Sequence, residues 1–170
     1  DLHPDNPDLM KLVRKNGLKG RIHLLGMQKG MAQILPAFDV FLLTSAYGEA
    51  FPNILGEAMA CGVPVVGFNI GGIPDMIVHK KNGFLAKPKD INSLLEGIEW
   101  GISSSNEEQS ISSLCRETAE IKYDLAVQAS AYKKLYEAEI IKNKAGKRKY
   151  LVSAIVSTHN AERFTRGRIE

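Results

Sequence analysis

Residues 40–68 read VFLLTSAYGEAFPNILGEAMACGVPVVGF. Val40 to Leu43 is a compact apolar run, the kind of strand found in a parallel sheet covered on both faces. A loop carrying Gly48 leads to Pro52, which suits a first helical position because its missing N–H costs nothing there. The spacing predicts a helix from Pro52 to Ala60, ended by Cys61-Gly62. Val63 to Phe68 is again an apolar strand. Strand, loop, helix and strand make one βαβ unit.

The same alternation continues outward. Upstream, Leu9, Leu12 and Val13 recur at helical spacing and predict a helix over 8–16, closed by Asn16-Gly17. Arg21 to Leu25 reads as a short strand closed by Gly26, and Met31 to Ala37 as a helix that Pro36 cuts short. Downstream, Gly71-Gly72 turns the chain and Pro74 opens a short helix. Gly83 to Ala86 is a strand behind the turn Lys81-Asn82-Gly83. The Asp90 side chain is placed to cap the next helix. A polar break at Ser103 to Asn106 precedes helices over 111–121 and 125–143. The expected fold class is α/β: a Rossmann-like parallel sheet with helices on both faces, whose ligand sits at the carboxyl ends of the strands.

Composition narrows the function classes. The 170 residues are 44% hydrophobic, enough for one domain with a real core, and the net charge of +3 gives no reason to expect nucleic acid. No apolar run approaches the ~20 residues that span a bilayer. Cys61 and Cys115 lack the spacing of a disulfide framework or a zinc site and read as reduced thiols in the cytoplasm. The chain opens on Asp1 with no signal segment behind it, so a fragment of a larger protein is expected. Lys142, Lys144, Lys147, Arg148 and Lys149 crowd one stretch. They read as a solvated linker or, alternatively, as a patch for anionic lipid at the inner membrane face.

The loop 45–52 carries the candidate chemistry. The first amides of the predicted helix, those of Asn53 and Ile54, point out of its N-terminus and with the helix dipole suit a diphosphate. Gly48 and Ala50 let a ligand approach the backbone. Glu49 precedes the helix, and Glu57 lies four residues after Asn53 on the same face. A carboxylate repels phosphate but accepts well from sugar hydroxyls. The assignment is therefore phosphates on the amides, a ribose diol on Glu57 and sugar hydroxyls near Glu49. The plainer alternative, that two glutamates merely complement a dipole and solvate a face, is opposed by the apolar neighbours Leu55, Ala58 and Met59, which predict an enclosed Glu57.

The stretch EAFPNILGEAMACGVPVVGFNIGGIPDMI, residues 49–77, resembles the donor-site signature of family 4 glycosyltransferases. That resemblance covers roughly residues 1–140. It implies the C-terminal, donor-binding half of a two-domain GT-B enzyme, and a sheet incomplete at its N-terminal edge. Such an enzyme transfers a sugar from a UDP-, GDP- or ADP-sugar to a glycan or lipid-linked acceptor with retention of configuration and without a metal ion. By the same resemblance Glu49 is the catalytic position beside the donor sugar, and Glu57 holds the ribose. Asn53 and Ile54 hold the diphosphate, with Phe51 and Pro52 beside them. Gly26 and Met27 lie against the base, and Ser45 touches the nucleotide or ends its strand. Gly71 and Gly72 either leave room beside the donor or form a tight turn.

Other residues read as structural: Asp39, Cys61, a core His23, an exposed His79 and a surface Lys29. The tail LVSAIVSTHNAERF resembles the first strand of family 2 (GT-A) glycosyltransferases, with Ser157 and His159 departing from the usual Pro and Tyr. The expected organisation is a nucleotide-sugar-binding domain at 1–143, a basic linker at 144–149 and the opening of a second domain at 150–170. The expected partners are the nucleotide sugar, the acceptor and an N-terminal domain of the same chain that carries the acceptor site; the resemblance places the basic residues that neutralise the diphosphate on strands upstream of Asp1, at the start of the donor-binding domain itself. A non-catalytic nucleotide-sugar-binding or scaffold module is the alternative.

Overall fold

The computed structural model describes residues 6–103 and 111–145, with side chains to Ile141. The segment expected to open a second domain lies outside the described residues. The elements run α1 (Pro7–Lys15), α2 (Met31–Ile34), a 3-10 turn (Leu35–Ala37), β1 (Phe41–Leu43), α3 (Asn53–Ala60), β2 (Val65–Phe68), α4 (Ile73–Met76), β3 (Gly83–Ala86), α5 (Ile91–Ser103), α6 (Ile111–Lys122) and α7 (Leu125–Ala145). The chain divides after Asp124, so α7 belongs to a second unit and is described by itself.

Three strands form a parallel sheet in the order β1-β2-β3. Phe41 pairs with Val65 and Leu43 with Gly67; on the other side Val65 pairs with Gly83 and Phe68 with Ala86. All four residues of the central β2 are buried, which accounts for its continuous apolar run. Its side chains alternate between two cores. Val65 packs with Leu55, Met59, Ile73, Met76 and Cys115 from α3, α4 and α6. Val66 and Phe68 pack with Phe84, Ala86, Leu94 and Trp100 on the α5 side. Helices therefore cover both faces, as the sequence predicts.

Local signals account for most boundaries. The Asn6 side chain caps α1 by accepting from the amides of Asp8 and Leu9, and Asp90 Oδ1 accepts from the amides of Asn92 and Ser93 at 2.9 and 3.1 Å. Pro36 turns the end of α2 into the 3-10 turn. The Lys81-Asn82-Gly83 turn holds more than a reversal. Asn82 is 2% exposed; its Oδ1 accepts from the Val78 amide at 2.7 Å, and its Nδ2 donates to the Met76 carbonyl and Thr118 Oγ1, each at 3.3 Å. It ties α4 and α6 to the start of β3, satisfying its buried amide on both sides.

One predicted strand is absent. Over 21–25 the chain makes no strand ladder: the amides of Arg21 and Ile22 turn back to the Leu18 carbonyl, and a single bridge joins Lys19 to Ile22. A strand exists only where a neighbour takes its hydrogen bonds, and here the local turn takes them. His23, expected in a core, is consequently exposed. His79 is exposed as expected, and its Nδ1 accepts from the Leu85 amide at 3.1 Å. At the opposite sheet edge, Phe38 and Leu42 stay 37% and 38% exposed. In the second unit, α7 stacks the rings of Tyr132 and Tyr136 at 6.2 Å. No helix among the described residues is long and apolar enough to cross a membrane.

Burial pushes the Cys115 thiol up from 9.0 to about 12. The folded protein thus holds this proton more tightly than the unfolded chain, so the stability at stake is complete below pH 9 and lost as pH rises through about 12. Urea unfolding at about pH 8 and about pH 10.5 should show Cys115→Ala losing about 2 kcal/mol less across that interval than the unaltered protein. Equal losses would show that the thiol does not couple folding to pH.

Candidate functional site

β1 and β2 are parallel neighbours, so their exit loops emerge at the same end of the sheet. Residues 44–52 lead from β1 to α3, and 69–72 lead from β2 to α4. The two loops meet backbone to backbone. The Gly72 amide donates to the Glu49 carbonyl at 2.7 Å. A Cβ on Gly72 would lie 1.9 Å from the Ala50 carbonyl oxygen, and one on Gly71 would lie 2.6 Å from that of Glu49. Gly71 also takes a left-handed φ of 62°, which favours glycine. The small size of this pair is therefore used up by the facing loop.

That contact carries the candidate residues. Ser45 Oγ donates to Glu49 Oε1, leaving Glu49 half-buried. Tyr47 stands at the apex of the turn so closed, 83% exposed. The Lys89 ammonium lies 5.5 Å from its ring centroid, reaching over from the loop after β3.

Pro52 is buried and serves as the N-cap of α3 rather than its first residue, and no side chain caps the helix. The Leu55 amide bonds the Pro52 carbonyl at 3.0 Å, while the amides of Asn53 and Ile54 precede any such bond. Phe51, 48% exposed, rests edge-to-face on Tyr123 at 5.6 Å. Tyr123 also lies against Gly56, its Cδ2 3.4 Å from where a Cβ would stand. Its hydroxyl is buried without a partner among the described residues. Burial first, and the nearby Asp75 charge second, raise its pKa. This support lies far from the loop in sequence, and its only sequence signal is an aromatic at a helix end.

Glu57 corrects the sequence reading. It is exposed, because Leu55, Ala58 and Met59 turn the other side of α3 into the core. A helical step of about 100° per residue puts 53 and 57 on the outer stripe. The Glu57 carboxylate is therefore open to a ligand rather than enclosed, and it shares its face with the exposed Asn53. Gly26 adopts a φ of 67°, and the Met27 side chain stands in solvent at 95% exposure. Among the described residues no cluster of three or more His, Cys, Asp or Glu could hold a metal ion.

Glycine at 72 is the tightest requirement of the site. Gly72→Ala forces backbone against backbone and should cost about 2 kcal/mol or more of stability. Gly48→Ala, whose Cβ would meet Gly71 Cα at 3.0 Å, should cost less. Thermal unfolding of the two variants checks the order; equal midpoints would mean the loops are free to separate.

Comparison with known proteins agrees with this architecture. The chain is 29% identical over 144 residues to the N-acetyl-alpha-D-glucosaminyl L-malate synthase of Bacillus anthracis, covering 85% of this chain and 38% of that protein. It is 31% identical over 139 residues to the N,N'-diacetylbacillosaminyl-diphospho-undecaprenol alpha-1,3-N-acetylgalactosaminyltransferase of Campylobacter jejuni, covering 82% and 36%. Anabaena HepE, solved in complex with UDP, superposes with a TM-score of 0.69 at 28% identity over 76% of this chain and 36% of its own; HepE has also been solved with UDP-glucose. The chain thus spans little more than a third of these relatives. The family described as glycosyl transferases group 1 matches residues 3–117, and this chain, an α/β domain of the kind found in GT-B glycosyltransferases, is a member of it.

Proposed function

We propose that this chain is the donor-binding half of a retaining glycosyltransferase of the family 4 type. The observation that carries this is the locked pair of loops, which sets Glu49 before the uncapped start of α3 and leaves Asn53 and Glu57 open on one stripe. In this reading the amides of Asn53 and Ile54 and the dipole of α3 meet the donor's diphosphate. Glu57 accepts from the ribose diol, and Glu49, oriented by Ser45, faces the sugar. Gly26 and Met27 border the base.

The leaving diphosphate gathers negative charge as the glycosidic bond breaks, and donors already aimed at it lower that barrier. The acceptor hydroxyl attacks the face the diphosphate leaves, which retains the configuration. No metal is assigned to donor binding. Cations come from upstream strands of the same donor-binding domain and the acceptor site from an N-terminal domain of the same protein, and the acceptor is a glycan or a lipid-linked glycan. The last expectation follows the Campylobacter relative, whose name specifies a diphospho-undecaprenol acceptor. The enzyme then works in the cytoplasm, at the inner face of a membrane when its acceptor is lipid-linked.

Titration calorimetry of this chain with UDP, GDP and ADP, beside Glu57→Ala, tests the reading. One nucleotide should bind, and Glu57→Ala should weaken it by roughly 10- to 100-fold, the loss of hydrogen bonds to a charged group. Failure of every nucleotide to bind, both to this chain and to a version extended upstream, would sink the proposal.

A further inference from the structure

We propose that Tyr47 is a sugar-stacking residue of this site: a loop pinned at both ends presents its ring to a pyranose. The inference rests on the donor-site reading above and adds a residue to it. A lone exposed aromatic is ordinary and needs no explanation. Tyr47 differs because the loop on either side of it is tied down while the residue itself stays 83% exposed. On its N-terminal side Ser45 bonds Glu49 across the turn. On its C-terminal side Gly48 is pressed against the Gly71 backbone, where a Cβ would meet Gly71 Cα at 3.0 Å and the Gly71 nitrogen at 3.2 Å.

The ring is held as well. The Lys89 ammonium lies 5.5 Å from its centroid, within cation–π range. Lys89 holds a left-handed φ of 60°, a conformation that costs a non-glycine residue free energy and clusters at functional sites. Holding two exposed, rotamer-rich side chains in one arrangement opposes their entropy with little burial in return. A ligand that covers the ring would supply the missing burial.

The chemistry of the ring selects the ligand. The Lys89 ammonium lies over the ring, and at 83% exposure the residue keeps most of its surface available to a ligand. The negative face of an aromatic ring attracts the partly positive C–H groups on the apolar side of a pyranose, as it does the edge of another ring. The Lys89 ammonium, with three donors, can meet sugar hydroxyls at the rim. Tyr47 is two residues from Glu49, so the sugar it stacks on is at the reacting end of the site. That sugar is the donor's own or the acceptor's.

The experiment uses this chain with UDP, UDP-glucose, and glucose added to the UDP-saturated protein. Tyr47→Ala, Tyr47→Phe and Lys89→Met are compared by calorimetry, and by NMR for glucose. Tyr47→Ala should leave UDP binding unchanged and weaken a sugar ligand about three- to tenfold. A loss confined to UDP-glucose assigns the stack to the donor sugar, and a loss confined to glucose assigns it to the acceptor. Tyr47→Phe should keep the affinity, because the ring and not the hydroxyl stacks, and Lys89→Met should lose part of it. Equal sugar affinities in Tyr47→Ala and the unaltered protein, with UDP bound, would overturn the proposal and leave the donor site standing. Failure of UDP, GDP and ADP alike to bind, both to the unaltered protein and to a version extended upstream, would overturn the donor-site reading and this inference with it.

Discussion

Two loops at the carboxyl ends of β1 and β2 touch through their backbones, and the candidate site is organised by that contact. The Gly72 amide bonds the Glu49 carbonyl, and glycine at 71 and 72 lets the loops approach to where any side chain would collide. Parallel pairing of β1 and β2 brings the loops to the same edge. Without the contact, Glu49 would sit on a free loop and the start of α3 would lose its fixed neighbour. Loops that carry function are commonly positioned by a rigid scaffold; here each loop also braces the other.

The scaffold beneath is a central strand buried on both sides. Val65 and Val66 point into different cores, so β2 cannot slip by one residue without exchanging its two faces. That registers α3 and α4 against the sheet. Asn82 and Tyr123 extend the bracing to α6, one by satisfied hydrogen bonds and the other by an edge-to-face contact under Phe51. Charge is arranged differently from packing. Glu49 is half-buried and oriented by Ser45, whereas Glu57 lies in the open on the outer stripe of α3. Two carboxylates of one motif thus occupy different environments, in keeping with different roles.

Period and turn chemistry made much of the fold legible. The apolar runs at 40–43, 63–68 and 83–86, the cap at Asp90 and the break at Pro36 are local signals, and local geometry obeys them. The segment 21–25 shows the limit. Its composition suits a strand, yet a strand is defined by its neighbour, and the turn at Leu18 takes the hydrogen bonds instead. Glu57 shows a second limit. Apolar neighbours in sequence suggested enclosure, but on a helix adjacent residues point about 100° apart, so the same neighbours turn Glu57 outward.

By itself the sequence determined the α/β class and the order of strands and helices in the sheet region, and it singled out the segment 45–62 as the candidate for chemistry. Each of these rests on spacing along the chain, which a linear text contains. Only the tertiary structure decided that Gly71 and Gly72 serve to seat one loop on another, that Ser45 orients Glu49, and that Lys89 stands over Tyr47. Those facts join residues 23, 4 and 42 positions apart, the first and last of them across different strand ends. Their energies come from steric exclusion, a hydrogen bond and a cation over a ring, none of which has a period to be read before the strands are laid side by side.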